Sequence, residues 1–188
     1  MRVIAGSARG RRLVAPTGNA TRPTADRVKE ALFSILHSLD TLDDARVLDL
    51  FAGSGALGIE AVSRGARSAV FIEQSAPALK ALSSNLEVCG FTPQATVMGC
   101  NVTRGLAQLV RNKAQFDLIF LDPPYHGALY LETIMALAGL VTEHTVLVAE
   151  SASKNPLPDR IGQFVCISRR TYGDTMLEFF TTEQSDVP

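Results

Sequence analysis

The length and composition of the chain describe one domain of ordinary globular type. With 188 residues it can bury a core without disulfides or a structural metal. Apolar residues make up 46% and charged residues 20%, and the net charge is −1, which excludes a globally disordered or uniformly basic protein. The three cysteines lack zinc or redox spacing, and no apolar run is long enough to cross a bilayer. We therefore expect a cytoplasmic protein that binds neither a metal nor a membrane.

Positive charge is concentrated at the N-terminal end. The first 25 residues contain five arginines and no acid. Short apolar runs at residues 2–5 and 12–15 flank a Gly-containing turn, which predicts a small β-hairpin with a basic tip. Its arginines form either a solvated surface or an arm for a polyanion, and we favour the arm. We call four residues the hairpin arginines: Arg2, Arg9, Arg11 and Arg12.

A linker and a helix follow the hairpin. Residues 16–23 contain two prolines and several turn-forming residues, which is typical of a linker. Thr24 can cap a helix that carries Asp26 in its first turn. Apolar residues recur at helical spacing from Val28 to Leu39, so one face of this helix packs on a core.

Short apolar runs then alternate with helical patterns, which predicts a parallel sheet with helices on both faces. The predicted strands cover residues 47–50, 69–73, 95–98, 116–122 and 145–150. The predicted helices cover residues 56–64, 76–88, 102–111 and 129–140. Two final runs, 164–168 and 176–181, have no helix between them and predict an antiparallel hairpin at the end of the sheet. Ligands of such sheets bind beyond the carboxyl ends of the strands.

A glycine-rich turn follows the first strand, in the segment Asp49 to Gly58. Glycines permit a sharp turn and close approach of a ligand, and the next helix offers backbone N–H groups. Glu73 ends the second strand, where its carboxylate can accept hydrogen bonds from two ribose hydroxyls. Together these features predict a nucleoside site.

Two ligands compete for this site. Gly53, Gly55 and Gly58 satisfy the G-x-G-x-x-G pattern of dinucleotide-binding enzymes. Asp49, however, precedes the turn, and its carboxylate would repel a pyrophosphate while tolerating an ammonium group or a water molecule. This favours S-adenosylmethionine over a nicotinamide dinucleotide.

The fourth strand leads into Asp122, Pro123, Pro124 and Tyr125. The prolines have no N–H, so the segment presents carbonyl oxygens and a carboxylate to a partner with two donors, such as an exocyclic amine. Tyr125 offers a flat face for stacking a base. Fixing both amine hydrogens would aim the nitrogen lone pair at the methyl group of a sulfonium. A nucleoside site beside an amine clamp predicts methyl transfer to an amino nitrogen.

These motifs resemble a known class. Residues 47–55 and 122–125 resemble the cofactor and catalytic motifs of class I S-adenosylmethionine-dependent amino-methyltransferases. Residues 1–6, 10–13 and 21–36 resemble the bacterial small-subunit (16S) ribosomal RNA guanine-N2 methyltransferase family. The resemblance runs from Met1 to about Phe180.

The resemblance implies a Rossmann-like α/β fold: a seven-stranded, mostly parallel sheet with an antiparallel last strand, preceded by the basic β-hairpin. It also implies that Asp122, Pro123, Pro124 and Tyr125 are catalytic, and that the hairpin arginines bind RNA. The implied cofactor-binding residues are Arg22, Thr24, Asp49, Phe51, Ala52, Gly53, Ser54, Gly55, Glu73 and Asn101. Among these, Arg22 and Thr24 are expected near the methionine end of the cofactor, and Asn101 beside its adenine, where many relatives have Asp.

We therefore expect residues 1–24 to form a basic hairpin and linker, and residues 25–188 a methyltransferase domain. The expected reaction moves a methyl group from S-adenosylmethionine to the N2 amine of a specific guanine in 16S ribosomal RNA, either naked or in a small-subunit assembly particle, and the enzyme is expected to be a monomer. The alternatives are a DNA or RNA adenine-N6 methyltransferase, a nicotinamide-dependent oxidoreductase, and a non-catalytic RNA-binding assembly factor.

Overall fold

Strands and helices alternate along the chain as the sequence predicts. The computed structural model describes residues 1–16, 26–123 and 128–182. Within them the helices are α1 (Asp26–Ser38), α2 (Ala56–Ser63), α3 (Ala76–Cys89), α4 (Val102–Arg111) and α5 (Ala128–Ala136), with a 3₁₀ turn at Thr92–Gln94. The strands are β1 (Arg46–Leu50), β2 (Ser68–Glu73), β3 (Ala95–Gly99), β4 (Phe116–Leu121), β5 (Val141–Ala152), β6 (Arg160–Ile161), β7 (Phe164–Tyr172) and β8 (Thr175–Thr182).

The strands form one twisted sheet in the order β3-β2-β1-β4-β5-β8-β7-β6. The five strands β1 to β5 are parallel, and β8 is antiparallel to both β5 and β7. This confirms the predicted Rossmann-like α/β sheet with its antiparallel end. The two-residue strand β6, at the outer edge, is an addition that the sequence analysis did not predict. The strand order reverses between β1 and β4, which is the usual place for a ligand crevice in this architecture.

Alternating side chains divide the core into two layers. Val47, Leu118 and Val148 point toward the layer that contains α1, α2, α3 and the N-terminal hairpin. Their sequence neighbours Leu48 and Ile119 point toward the layer that contains α4 and α5. Both faces of the parallel strands are therefore buried, which explains why those strands are continuous apolar runs.

The predicted N-terminal hairpin is present and is joined by a β-bridge between Arg2 and Arg12. The Val3 amide donates to the Arg11 carbonyl at 2.9 Å, and Val3 is buried in the same layer as α1. The turn lies so close to α2 that a Cβ atom on Gly6 would stand 1.7 Å from the carbonyl oxygen of Ser63. The boundary expected between residues 24 and 25 lies outside the described residues, so the division into two domains stays a prediction.

A buried carboxylate attaches the hairpin to α2. Glu60 is fully buried and accepts hydrogen bonds from the backbone amides of Ile4 (2.8 Å) and Ala5 (3.0 Å). The same carboxylate lies 3.2 Å from the ammonium of buried Lys29 and 2.8 Å from Nε of Arg64. Four donors thus converge on one side chain, and three separate segments of the chain are held together.

Three elements begin or end four residues away from their predicted bounds. Strand β7 ends at Tyr172 instead of residue 168. Helix α5 ends at Ala136 instead of residue 140, because turns with hydrogen bonds between residues three apart follow it. Strand β5 begins at Val141 instead of residue 145, because Val141 pairs with Phe116 ahead of a bulge in the β4–β5 ladder. No helix in the described ranges is both long and apolar enough to cross a membrane.

Candidate active site

The glycine-rich turn, residues 51–55, joins β1 to α2 and is here called the glycine loop. Phe51, Gly53 and Gly55 all have positive φ angles, 58°, 56° and 77°. Phe51 is thus a non-glycine residue in the left-handed region, a conformation that persists only where the surroundings impose it. The Ala52 amide donates to the carbonyl of Ile72 at 3.1 Å and anchors the loop to β2.

Two glycines are required by close packing. A Cβ atom on Gly55 would lie 2.3 Å from Cδ1 of Leu82, and one on Gly58 would lie 2.4 Å from the ring of Phe71. Any larger residue would push α2 away from β2 and α3. The G-x-G-x-x-G spacing therefore has a packing explanation that needs no dinucleotide.

Asp49 is the second-last residue of β1, just ahead of the glycine loop, and is buried. Its Oδ2 accepts a hydrogen bond from the Gly58 amide at 2.9 Å, in the first turn of α2. Burial raises the pKa of Asp49 to about 7, and the nearby charge of Glu73 adds to this, while the Gly58 hydrogen bond opposes it. The Asp49 carboxylate therefore already binds the Gly58 N–H group, which in a dinucleotide-binding enzyme would be available to the pyrophosphate.

Glu73 lies at the end of β2, beside the glycine loop. Its Oε2 accepts from the Gly53 amide at 2.8 Å, and its Oε1 accepts from the amides of Gln74 and Ser75 at 2.8 and 2.7 Å. A carboxylate has about four acceptor positions, so three backbone bonds leave room for one more donor at this side chain. The expected contact with both ribose hydroxyls stays a prediction.

Asn85 is a site residue that sequence analysis missed. It is buried on α3, and its Nδ2 donates to the carbonyls of Ser54 (2.9 Å) and Val14 (3.0 Å). Its Oδ1 accepts from the Val14 amide at 2.7 Å. The side chain therefore connects the end of the hairpin to the glycine loop. No local motif marks it, because both partners are distant in sequence.

Asp122 follows β4 at the carboxyl edge of the sheet, and Pro123 beside it is buried. Burial raises the pKa of Asp122 to about 8, with further contributions from the charges of Glu150 and, more weakly, Asp49. We call these three residues, Asp49, Asp122 and Glu150, the acidic edge. The other two predicted catalytic residues, Pro124 and Tyr125, lie outside the described residues.

Asn101 has a structural role in addition to its predicted contact with adenine. It is exposed at the start of α4, where its Oδ1 accepts from the Arg104 amide at 2.8 Å and caps the helix. The predicted hydrogen bond to an adenine amine would have to share that oxygen. Arg22 and Thr24, expected near the methionine end of the cofactor, fall in the range 17–25 that the structure does not describe.

The hairpin arginines are all exposed, as an RNA-contacting surface requires. One of them, Arg2, lies close to an acidic side chain, with its Nε 3.6 Å from Oδ2 of Asp26. Across the described part of the chain, no group of three or more His, Cys, Asp or Glu side chains is arranged to hold a metal ion.

Comparison with known proteins shows which family this chain is similar to. The family model "Conserved hypothetical protein 95" matches residues 1–181. "Putative rRNA methyltransferase YlbH" of Bacillus subtilis is 40% identical over 181 residues, which are 93% of this chain and 95% of that protein. "Ribosomal RNA small subunit methyltransferase D" of Escherichia coli K12 is 39% identical over 160 residues, covering 84% of this chain and 78% of that protein.

A solved structure gives the same result. "Putative methyltransferase yhhF from Escherichia coli" superimposes with a TM-score of 0.84 at 35% identity, covering 97% of this chain and 98% of that one. Together, the relatives and the fold confirm the predicted class I, S-adenosylmethionine-dependent methyltransferase. The chain therefore belongs to the Conserved hypothetical protein 95 family, the bacterial small-subunit ribosomal RNA methyltransferases that its motifs resemble.

Proposed function

We propose that this enzyme transfers a methyl group from S-adenosylmethionine to the exocyclic N2 amine of a specific guanine in 16S ribosomal RNA. The observation that carries the proposal is the acidic edge. The acidic edge lies where the strand order reverses between β1 and β4. The glycine loop follows β1 at this place, and the Asp122-Pro123 segment, which we propose binds the amine, follows β4. The ribosomal RNA substrate rests on the named relatives, and the N2 position on the resemblance of the motifs.

The charge of the site supports this cofactor over a dinucleotide. S-adenosylmethionine supplies an electrophilic methyl group on a positively charged sulfonium. Among the described residues, the charged groups that act on Asp122 are Glu150 and Asp49, and both are acidic. A cation placed near them relieves their mutual repulsion, whereas a pyrophosphate would add to it. Because Asp49 already occupies the Gly58 amide, the turn of α2 also has one N–H fewer for a phosphate.

The amine site works by orientation. The Asp122 carboxylate accepts one hydrogen bond from the amine, and a carbonyl oxygen of the Pro123 segment accepts the other. Both hydrogens are then fixed, so the nitrogen lone pair points at the methyl carbon. Tyr125 stacks on a base that has been turned out of its helix. Pro124 keeps the segment free of competing donors.

The hairpin arginines supply contacts to RNA phosphates, which position the substrate without reading its sequence. In this proposal residues 1–24 form the RNA-contacting hairpin and linker, and residues 25–188 the methyltransferase domain. Arg22 pairs with the methionine carboxylate of the cofactor, with Thr24 beside it, and Glu73 holds the ribose. The enzyme acts as a monomer in the cytoplasm, where ribosomal subunits are assembled.

The proposal is tested with Asp122→Ala and a matched surface control, Asp43→Ala. Transfer of labelled methyl groups to small ribosomal subunits should be lost in Asp122→Ala and kept in the control. Calorimetry should show S-adenosylmethionine binding to both variants and no binding of NAD. Unchanged transfer by Asp122→Ala would refute the amine clamp, and binding of NAD alone would refute the cofactor.

A second candidate, adenine-N6 methylation, shares the same chemistry. It is favoured by one observation: the Asp122-Pro123 segment recognises an amine and carries no group that selects guanine over adenine. The identity of the methylated nucleoside separates the two candidates.

A further inference from the structure

Glu150 lies beside Asp122 on the same face of the sheet. Leu121 of β4 pairs with Ala149 of β5, so Asp122 and Glu150 each stand one residue beyond that pair. Side chains alternate along both strands: Phe120 and Val148 point toward the layer of α1 to α3, and Asp122 and Glu150 share that parity. Neighbouring strands lie about 4.8 Å apart, which places the two carboxyl groups side by side.

The backbone of Glu150 is fixed from the opposite face. Tyr130 of α5 is buried, and its hydroxyl donates a short hydrogen bond to the Glu150 carbonyl oxygen. Burial raises the pKa of this hydroxyl, and the charges of Asp122 and Glu150 raise it further, so it remains a neutral donor. Strand β5 therefore cannot carry the Glu150 side chain away from Asp122 without breaking this partly buried hydrogen bond.

Among the described residues, two acids and one hydroxyl interact with Asp122. Glu150 extends from β5 and Asp49 from β1 on the same face of the sheet, and the Tyr130 hydroxyl of α5 lies near Asp122 from the opposite face. Asp49 is already bonded to the Gly58 amide. Of the charged groups in the described part of the chain, Glu150 has the largest effect on Asp122. Both acids are half-buried, and the charge of Glu150 makes the Asp122 carboxyl harder to ionise, which is a cost that points to a role in the chemistry of the site.

We propose that Glu150 is a positioning residue of the amine site, whose carboxylate, acting through Asp122, makes Asp122 the acceptor of the proton that leaves the methylated amine. This rests on the proposed function. The amine nitrogen forms a bond to the methyl carbon, and the carbon–sulfur bond breaks with its electron pair left on sulfur. The nitrogen is then positively charged, and it returns to neutrality when one of its two protons moves to the Asp122 carboxylate.

The proton acceptor has to be basic enough to take that proton near neutral pH. An isolated carboxylate is a weak base, and the neighbouring negative charge of Glu150 strengthens it. Glu150→Gln keeps the size of the side chain and removes its charge. Glu150→Asp keeps the charge, and Glu132→Gln on the exposed side of α5 is the matched control.

The experiment measures two quantities in each variant. The first is the midpoint of the Asp122 carboxyl titration, followed by NMR of protein labelled with ¹³C at aspartate. The second is the pH profile of kcat/KM for methyl transfer to small ribosomal subunits. In Glu150→Gln both midpoints should move down by roughly one pH unit, while Glu150→Asp and Glu132→Gln should stay close to the wild type.

The possible results separate a failure of this inference from a failure of the proposed function. Midpoints in Glu150→Gln that match the wild type would overturn the inference, and if Asp122→Ala is still inactive the proposed function stands. A profile that falls uniformly at every pH, with no shift in midpoint, would show a merely structural role and would also overturn it. If the wild type transfers no methyl group, the proposed function fails, and this inference fails with it.

Discussion

Replacing Glu60 by Gln tests how the N-terminal hairpin is attached to helix α2. The change keeps the size of the side chain and one acceptor oxygen, and it removes the negative charge. In the wild type that charge faces Lys29 at 3.2 Å, and both side chains are buried. Within the described residues, the Lys29 ammonium then keeps its hydrogen bond to the Arg2 carbonyl, at 2.6 Å, and has no carboxylate partner. The variant thus leaves a buried cation without its counterion.

The expected loss follows from that geometry. Removing one partner of a buried ion pair destabilises a protein by about 3–5 kcal/mol. The isosteric amide still accepts one of the Ile4 and Ala5 amide bonds, so the low end of the range, about 3 kcal/mol, is the expectation. A domain of this size has a free energy of unfolding of about 5–15 kcal/mol, so the variant should remain folded.

Urea unfolding of Glu60→Gln, followed by circular dichroism, measures this loss. Glu87→Gln, an exposed position on α3, is the control and should lie within about 0.5 kcal/mol of the wild type. The double variant Lys29→Met with Glu60→Gln removes the stranded cation as well. It should recover about 1–2 kcal/mol relative to Glu60→Gln.

Two results would contradict the role of the Lys29–Glu60 ion pair. A loss below about 1 kcal/mol in Glu60→Gln would show that Lys29 finds another partner or reaches water. A double variant no more stable than Glu60→Gln would show that the loss does not come from the unpaired cation.

Three further predictions concern the loop, the pH dependence and the RNA surface. Gly55→Ala should weaken cofactor binding at least tenfold, because its Cβ would lie 2.3 Å from Leu82. Gly90 has nearly the same φ but lies in open space, so Gly90→Ala should leave cofactor binding unchanged. Equal effects of the two variants on binding would contradict the packing explanation. The pKa of Asp49 is raised from 3.8 to about 7, so the stability linked to this carboxyl is complete below the lower value and is lost as the pH rises through the higher one. Asp49→Asn should therefore gain stability relative to the wild type between about pH 4 and pH 7, and parallel urea-unfolding profiles would contradict this. Changing all four hairpin arginines to Gln should make the slope of log affinity for RNA against log salt concentration shallower by about 3. Arg111→Gln, an exposed position on α4, is the control and should leave the slope unchanged. If the fourfold variant has the wild-type slope, the RNA contacts lie elsewhere.

The sheet and its helices could be predicted because their signals are local. Apolar runs of strand length and the helical spacing of residues such as Leu106 and Leu109 each lie within one element. The long strand β5 was predicted too short, since three of its first four residues are polar and two of the four are exposed. Their pairing depends on a bulge opposite Phe116, which a single strand does not reveal.

The site could be predicted only as far as its motifs extend. The glycine loop, Asp49, Glu73 and Asp122 lie at strand ends, where the pattern of the fold makes them visible. Asn85 could not be found this way, because it acts on Val14 and Ser54 across the fold. The structure also gives Asn101 a helix-capping role, which the sequence analysis did not predict, although Asn directly before a helical pattern is a common N-cap.

Nucleoside analysis after methyl transfer identifies the atom that this enzyme methylates. Small ribosomal subunits from cells that lack this protein are incubated with the enzyme and labelled S-adenosylmethionine, and their RNA is digested to nucleosides. We expect the label in N2-methylguanosine. Label in a methylated adenosine would contradict the substrate while keeping the amine clamp, and no label in any nucleoside would contradict both the substrate and the reaction.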